Sequence, residues 1–392
     1  MHFSSALPLA GLVLLSTASV ASAAKGQHCH RRSQPSDAAA AHKHKHSKTK
    51  PATTHHYTVS STESSTSSAT SSGTSSGTSS ATSSASSSGS TSSHKLLKEY
   101  SGSTFFDGFR FANISDPTHG AVSYVNTDDA WSTGLVSITS DNTAIMSIDR
   151  KSKLDYNVRR PSVRLESKDT YNSGLFIADF SHVPVGCSAW PAYWFSGARW
   201  PNQGEIDVFE QVNLAARNRM TLHTSEGCTR DTSSSMTGSG EYSSTDCYAY
   251  GSSSGCGVDD TKPNSYGHAF NEAGGGVFAL SYSDDGIYIW RWNRDDIPSD
   301  VNDGTPDPKG WGTPAAAWGP ATCASGKYFE DLIMTFDITT CGDWAGVDSI
   351  WQDPTQSGSC GKTYSNCLAA VQDPSAFDEA YFEINYVKVF SV

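Results

Sequence analysis

Apolar residues recur along positions 98–392 in short runs that are broken repeatedly by Gly, Asn, Asp or Pro. Clear examples are 175–180, 277–282, 286–292, 332–336 and 381–390. The last alternates, which places Phe382, Ile384 and Tyr386 on one predicted strand face. Trp290 and Trp292 likewise share a face and are read as packing inside. No long stretch repeats its apolar residues with a helical period. Many short strands between turn formers predict an all-β sandwich or barrel. The roughly 295 residues involved are enough for one large core. Two long segments rich in Ser, Gly and Asp, 229–264 and 297–327, are predicted loops. Loops of such length are usually functional or held by cross-links, and these are expected to be stapled and to wall a cleft.

The first 97 residues are a different kind of sequence. Residues 1–23 read as a secretory signal peptide, with an apolar core from Leu7 to Leu15 before the small-residue site Ala21-Ser22-Ala23. That apolar run is too short to anchor the chain in a bilayer. Residues 24–97 begin basic and His-rich and continue as a Ser/Thr/Gly/Ala tract. Such a composition cannot bury enough apolar surface to offset its ordering entropy, so a disordered, O-glycosylated stalk is expected. The segment carries a net +6, which leaves −18 on residues 98–392 out of the total of −12. An acidic globular domain argues against a nucleic-acid partner. Of nine cysteines, Cys29 lies in the stalk and eight lie in the domain, enough for four disulfides in an exported protein. Asn113-Ile114-Ser115 is an N-glycosylation sequon.

Candidate chemistry concentrates in Gly204-Glu205-Ile206-Asp207-Val208-Phe209-Glu210, where three acids sit within a strand-like run. Glu205 and Asp207 share a strand face, and Glu210 is out of phase by one residue. A bulge at Val208-Phe209 would return Glu210 to the same face. The glutamate Cα atoms would then lie on the order of 13 Å apart, from about 3.3 Å of rise per paired residue. Their side chains could lean together to the roughly 5–5.5 Å spacing of a retaining glycosidase. Tryptophans flank the run, as in Trp190-Pro191-Ala192-Tyr193-Trp194 and Trp200-Pro201. Flat rings beside paired acids point to sugar chemistry, since pyranose faces stack on aromatic rings. Three crowded acids cannot all ionise freely, so one is expected to hold its proton. Glu205 is read as nucleophile, Glu210 as acid/base, and Asp207 as the group that orients the nucleophile.

Five further segments sharpen this reading: Ser162-Val163-Arg164-Leu165-Glu166-Ser167, Cys187 to Trp194, Trp200 to Glu205, Thr221-Leu222-His223-Thr224, and Cys341-Gly342-Asp343-Trp344-Ala345-Gly346. Together they resemble glycoside hydrolase family 16, in particular its fungal endo-β-1,3(4)-glucanases of the laminarinase type. The resemblance covers most of residues 98–392. It implies a β-jelly-roll of two antiparallel sheets with a concave substrate cleft, and a catalytic domain spanning 98–392. It also implies retaining endo-hydrolysis through Glu205, Asp207 and Glu210, and substrate-binding roles for Arg164, Trp194, Trp200, His223 and Trp344. The five-residue step from Glu205 to Glu210 is similar to the bulged form of laminarinases and lichenases, whereas the family's wall transglycosylases are one residue shorter. Gln203 and Gln211 depart from the usual pattern and are expected to alter subsites.

The expectation is therefore a secreted or wall-associated monomer acting on β-glucan, with no membrane anchor. No cofactor is required; the resemblance allows a structural calcium ion, although no ligand motif is visible and no catalytic metal is expected. The alternatives are a wall-remodelling glucan transglycosylase and a non-catalytic glucan-binding protein.

Overall fold

Side-chain alternation closes the chain into two facing antiparallel sheets. The computed structural model describes residues 94–232 and 237–392; the signal, the stalk and Cys29 lie outside the described residues. One eight-stranded sheet is ordered Ala316–Trp318, Gly286–Asn293, Gly276–Ser283, Gly174–His182, Tyr381–Phe390, Ala144–Ser147 and Val136–Ile138, with Leu96–Ser101 paired onto Tyr381–Phe390. The other is ordered Glu241–Tyr242, Cys256–Asp259, Arg219–His223, Glu205–Glu210, Ala189–Ser196, Leu332–Thr340, Arg164–Tyr171 and Phe109–Phe111. This is the expected jelly-roll sandwich. Among the described residues no helix is long and apolar enough to cross a membrane.

Three neighbouring strands, Gly174–His182, Gly276–Ser283 and Gly286–Asn293, keep the two-residue period. Phe176, Ala178 and Phe180 enter the core between the sheets, as do Phe278 and Leu280, and Ile287 and Ile289. Their sequence neighbours Leu175, Ile177, Val277, Tyr288, Trp290 and Trp292 form a second apolar cluster on the sheet's other face. The segment after Asn293 covers it: Trp311 meets Trp290 and Trp292 edge-on, with ring centroids at 5.3 and 5.0 Å. The two strand tryptophans are buried as expected, but outside the main core.

The last strand departs from the alternation read in the sequence. Phe382 and Ile384 enter the main core, but Tyr386 packs against the second cluster. Register shifts on both sides of Ile384 invert the phase.

Among the described residues, four disulfides fix the long connections. Cys228–Cys323 ties the residue just before the first predicted loop to the second, and Cys247–Cys256 closes a turn within the first. Cys187–Cys360 and Cys341–Cys367 pin the run of short helices that follows Thr340.

Candidate active site

The strand Glu205–Glu210 carries the expected bulge. It pairs in regular register with Arg219–His223 and Ala189–Ser196 as far as Asp207. Beyond that point Phe209 pairs with Tyr193 and Glu210 with Ala192, so Val208 is the extra residue. Both Val208 and Phe209 are fully buried in the main core, beside Ile206. Phe209 meets the rings of Phe180, Tyr266, Phe278 and Phe382. Burying that ring contributes about 1.5–3 kcal/mol. A regular strand would instead turn Phe209 to the cleft and drive the Glu210 carboxyl into hydrocarbon, at a cost of several kcal/mol. Partition of these two side chains between core and cleft therefore decides the bulge.

Asn218 closes the bulge, and the sequence reading missed it. This fully buried side chain accepts from Glu210 N at 3.1 Å and donates to Val208 O at 3.0 Å. Its main chain is held in turn by Ser265 Oγ and Asp260 N. The available signal was a buried-type Asn one strand away from an unpaired backbone stretch, which no periodicity reveals.

Gly204 sets the approach to the strand. Its φ of +74° suits glycine, and a Cβ there would strike the Phe329 ring and meet Tyr328 O at 2.6 Å.

Two adjoining depressions meet at Glu210 and Trp190. The larger, of about 540 Å³, extends past His223, Ser253 and Ser254 on one side and Trp344 on the other. The smaller, of about 70 Å³, is lined by Arg164, Trp194, Glu205, Asp207 and Asp337, among others. The three expected acids thus face one cleft. Trp190 Nε1 donates to Glu210 Oε1 at 2.8 Å, and Trp200 Nε1 donates to Glu205 Oε2. Trp344 stands edge-on to Trp190 at 5.6 Å. His223 pairs opposite Glu205, with Nε2 3.3 Å from Asp207 Oδ2. One atom each from Glu205, Asp207 and His223 lie within 4.8 Å of one another, close enough to hold a metal ion, although these groups already engage one another and Trp200.

Burial dominates the electrostatics. It pushes the Glu210 carboxyl up to about 8, with the Asp207 charge adding to the rise and the Trp190 hydrogen bond opposing it. Burial also holds Asp207 well above the usual carboxylate range, reinforced by Glu205. A fourth acid, Asp337, was not singled out in the sequence. Burial pushes it up to about 7 against the opposing pull of Arg164.

Arg164 lines the cleft as its strand phase implies, and two of its nitrogens bond to neighbouring acids. It donates to Asp337 Oδ2 at 2.8 Å and Glu166 Oε1 at 3.1 Å, and its guanidinium lies 4.9 Å from the Trp194 ring centre. These contacts hold the guanidinium in place beside the cleft. Gln203 and Gln211 also bond protein groups. Gln203 bonds Arg199 N and Glu330, while Gln211 bonds Arg217 O and Val212 N.

This face of paired carboxyls beneath tryptophans has a close counterpart among known proteins. Residues 109–390 match the family model described as the XgeA-like, catalytic GH16 domain. The chain belongs to glycoside hydrolase family 16. It is 43% identical over 302 residues to a probable glycosidase of Schizosaccharomyces pombe, covering 76% of this chain and 69% of that protein. It is 40% identical over 305 residues to an endo-1,3(4)-beta-glucanase of Arthroderma benhamiae, covering 76% of this chain and 65% of that protein. The chain thus spans about two thirds of these relatives' length. Laminarinase 16A from Phanerochaete chrysosporium, solved with beta-glucans in its donor and acceptor sites, is similar at 35% identity and a TM-score of 0.70, over 76% of this chain and 99% of that one. An elongating family 16 beta-1,3-glucosyltransferase is similar at 38% identity and a TM-score of 0.69, over 76% and 100%.

Proposed function

We propose that the chain is a secreted, retaining endo-β-glucanase that hydrolyses β-1,3 and mixed β-1,3/1,4 glucans by double displacement. The observation that carries this reading is the bulge at Val208, which brings Glu210 onto the face of Glu205 and Asp207. In the first step the Glu205 carboxylate forms a bond to the anomeric carbon. Glu210 gives its proton to the departing glycosidic oxygen as that bond breaks. In the second step Glu210 takes a proton from water, whose oxygen attacks the same carbon and releases Glu205. A carboxyl raised to about 8 holds its proton at neutral pH, as the first step needs. Protonated Asp207 donates to Glu205 and fixes its orientation; Trp200 Nε1 holds it from the other side. The four tryptophans at the cleft supply stacking surfaces for glucosyl rings.

Replacing Glu205 with Gln should abolish hydrolysis of laminarin and lichenin while leaving the thermal unfolding midpoint nearly unchanged. Proton NMR of the first products should show β-anomers. Full activity in the variant, or α-anomers at first appearance, would overturn the assignment.

A second reading has a specific support. The similarity to an elongating glucosyltransferase favours a sugar hydroxyl as acceptor in the second step. Product chain lengths from laminari-oligosaccharides separate the two, since transfer yields products longer than the starting sugar.

A further inference from the structure

Residues 150–160 form a basic segment in an acidic domain, and the catalytic reading gives them no role. They carry five cations, Arg150, Lys151, Lys153, Arg159 and Arg160, against one acid, Asp155, for a net +4 where residues 98–392 total −18. Two of the cations anchor the segment. Arg160 is fully buried; it donates from Nε to Val371 O at 2.9 Å and from Nη1 to Asp149 O at 2.8 Å, and lies over the Phe377 ring. Arg150 donates to Asp378 O at 2.9 Å and lies over the Tyr381 ring. The backbone is held as well: Leu154 N donates to Gln372 O at 3.0 Å, and Asp149 Oδ1 accepts from Lys151 N and Ser152 N. The other three cations, Lys151, Lys153 and Arg159, are exposed. Lys151 and Arg159 have no side-chain hydrogen bond or ion pair among the described residues. Tyr156, 59% exposed, stands among them. Beside the segment lies a depression of about 180 Å³, which Asn157, Val158 and Arg159 line together with Leu368, Val371 and Gln372. His119 also lines it, with Nδ1 2.8 Å from Asp343 Oδ2, and Asp343 lines the larger depression of the cleft. The basic site therefore adjoins the Trp344 side of the cleft without being part of it.

We propose that residues 150–159 and this depression form a docking site for a carboxylated polysaccharide, a polymer of uronic acid units, distinct from the cleft that takes neutral glucan. The inference goes beyond the glucanase reading and does not depend on it. Charge selects the place: an anionic chain is repelled by most of this domain and attracted here. A held backbone carrying exposed cations also lowers the ordering cost of binding. Arg159 presents the planar fork that matches a carboxylate. A uronic acid carries its charge directly on the ring. Its ring can therefore rest on Val158, Leu368 and Val371 while its carboxylate meets Arg159. Tyr156 offers a flat face to a neighbouring unit, and Lys151 and Lys153 meet further carboxylates along the chain. A bilayer or a nucleic acid duplex presents a broad anionic face, which would press the domain's many acids against like charge. A narrow, flexible chain avoids that cost.

The test is hydrogen exchange of the full chain, read by mass spectrometry, with and without an oligogalacturonate. Protection should appear in peptides covering 150–160 and 367–373 and should fade as salt is added. A second protein carries Lys151→Ser, Lys153→Ser and Arg159→Ser. A third, with the same change in net charge, carries Lys168→Ser, Lys262→Ser and Lys309→Ser, at exposed lysines elsewhere. The first triple variant should lose the protection and bind the oligogalacturonate at least about 10-fold more weakly by calorimetry, while the second stays within about 2-fold of wild type. Both variants should keep the wild-type unfolding midpoint. Protection absent from 150–160, or confined to the cleft or to residues 24–97, would overturn the site. So would equal losses in the two triple variants, or equal protection by a sulfated dextran oligosaccharide or by phosphatidylserine vesicles.

Discussion

Replacing Glu210 with Gln tests the electrostatics and the chemistry together. The amide keeps an oxygen to accept from Trp190 Nε1 and removes the titration. In the folded protein Glu210 is pushed from 4.5 up to about 8, first by burial and then by Asp207. Between those values the folded state holds a proton that the unfolded chain has released. The contribution is therefore intact below pH 4.5 and is lost as pH rises toward 8. The full separation corresponds to about 5 kcal/mol. Because Glu210 stays partly open to the cleft, solvent screening trims this to on the order of 3 kcal/mol. The variant should accordingly be more stable than wild type by roughly that amount above pH 8, with the gap closing below pH 4.5. Chemical unfolding from pH 4 to 9 with disulfides intact measures it. Burial raises Asp207 and Asp337 in both proteins, so the difference curve isolates Glu210 to a first approximation. In parallel, kcat/KM on laminarin should fall by about 10²–10⁴-fold. Aryl glycosides, whose leaving groups need no proton, should keep a much larger share of the first step. A difference curve that is flat in pH, or a variant less stable at high pH, would refute the account of the Glu210 environment.

Removing the bulge clasp with Asn218→Ala should cost about 2 kcal/mol, because it leaves Glu210 N and Val208 O without their buried partner. It should also reduce kcat more than it raises KM, as steady-state kinetics on laminarin would read. Arg164→Met should leave Asp337 buried without its cation, destabilise the fold by about 3–5 kcal/mol and move Asp337 further up; denaturation and titration of the Asp337 carboxyl check this. Gly204→Ala should cost at least about 1–2 kcal/mol through its positive φ, with further loss from the contact with Tyr328 O, measurable as a lower unfolding midpoint.

The short acidic motif and its phase fixed which residues could reach one another, since a strand offers only two faces and an extra residue inverts them. Local patterning therefore placed Glu205, Asp207 and Glu210 in the cleft, gave Arg164 its face, and located five of the central strands to within a few residues at either end. It also marked the eight domain cysteines without their partners, because pairing depends on which chain segments meet. Tertiary structure decided what happens around those acids. Asn218 and Asp337 reach the site from other segments, and nothing in their own sequence neighbourhoods signals it. Tyr386 turned away from the face of Phe382 because its strand bulges to keep pairing with its neighbour. Arg164 is locked because Asp337, far along the chain, lies beside it in the adjacent strand. Period-two alternation is a local property of the backbone, whereas burial, pairing and a shifted carboxyl pKa arise only where distant segments exclude water together.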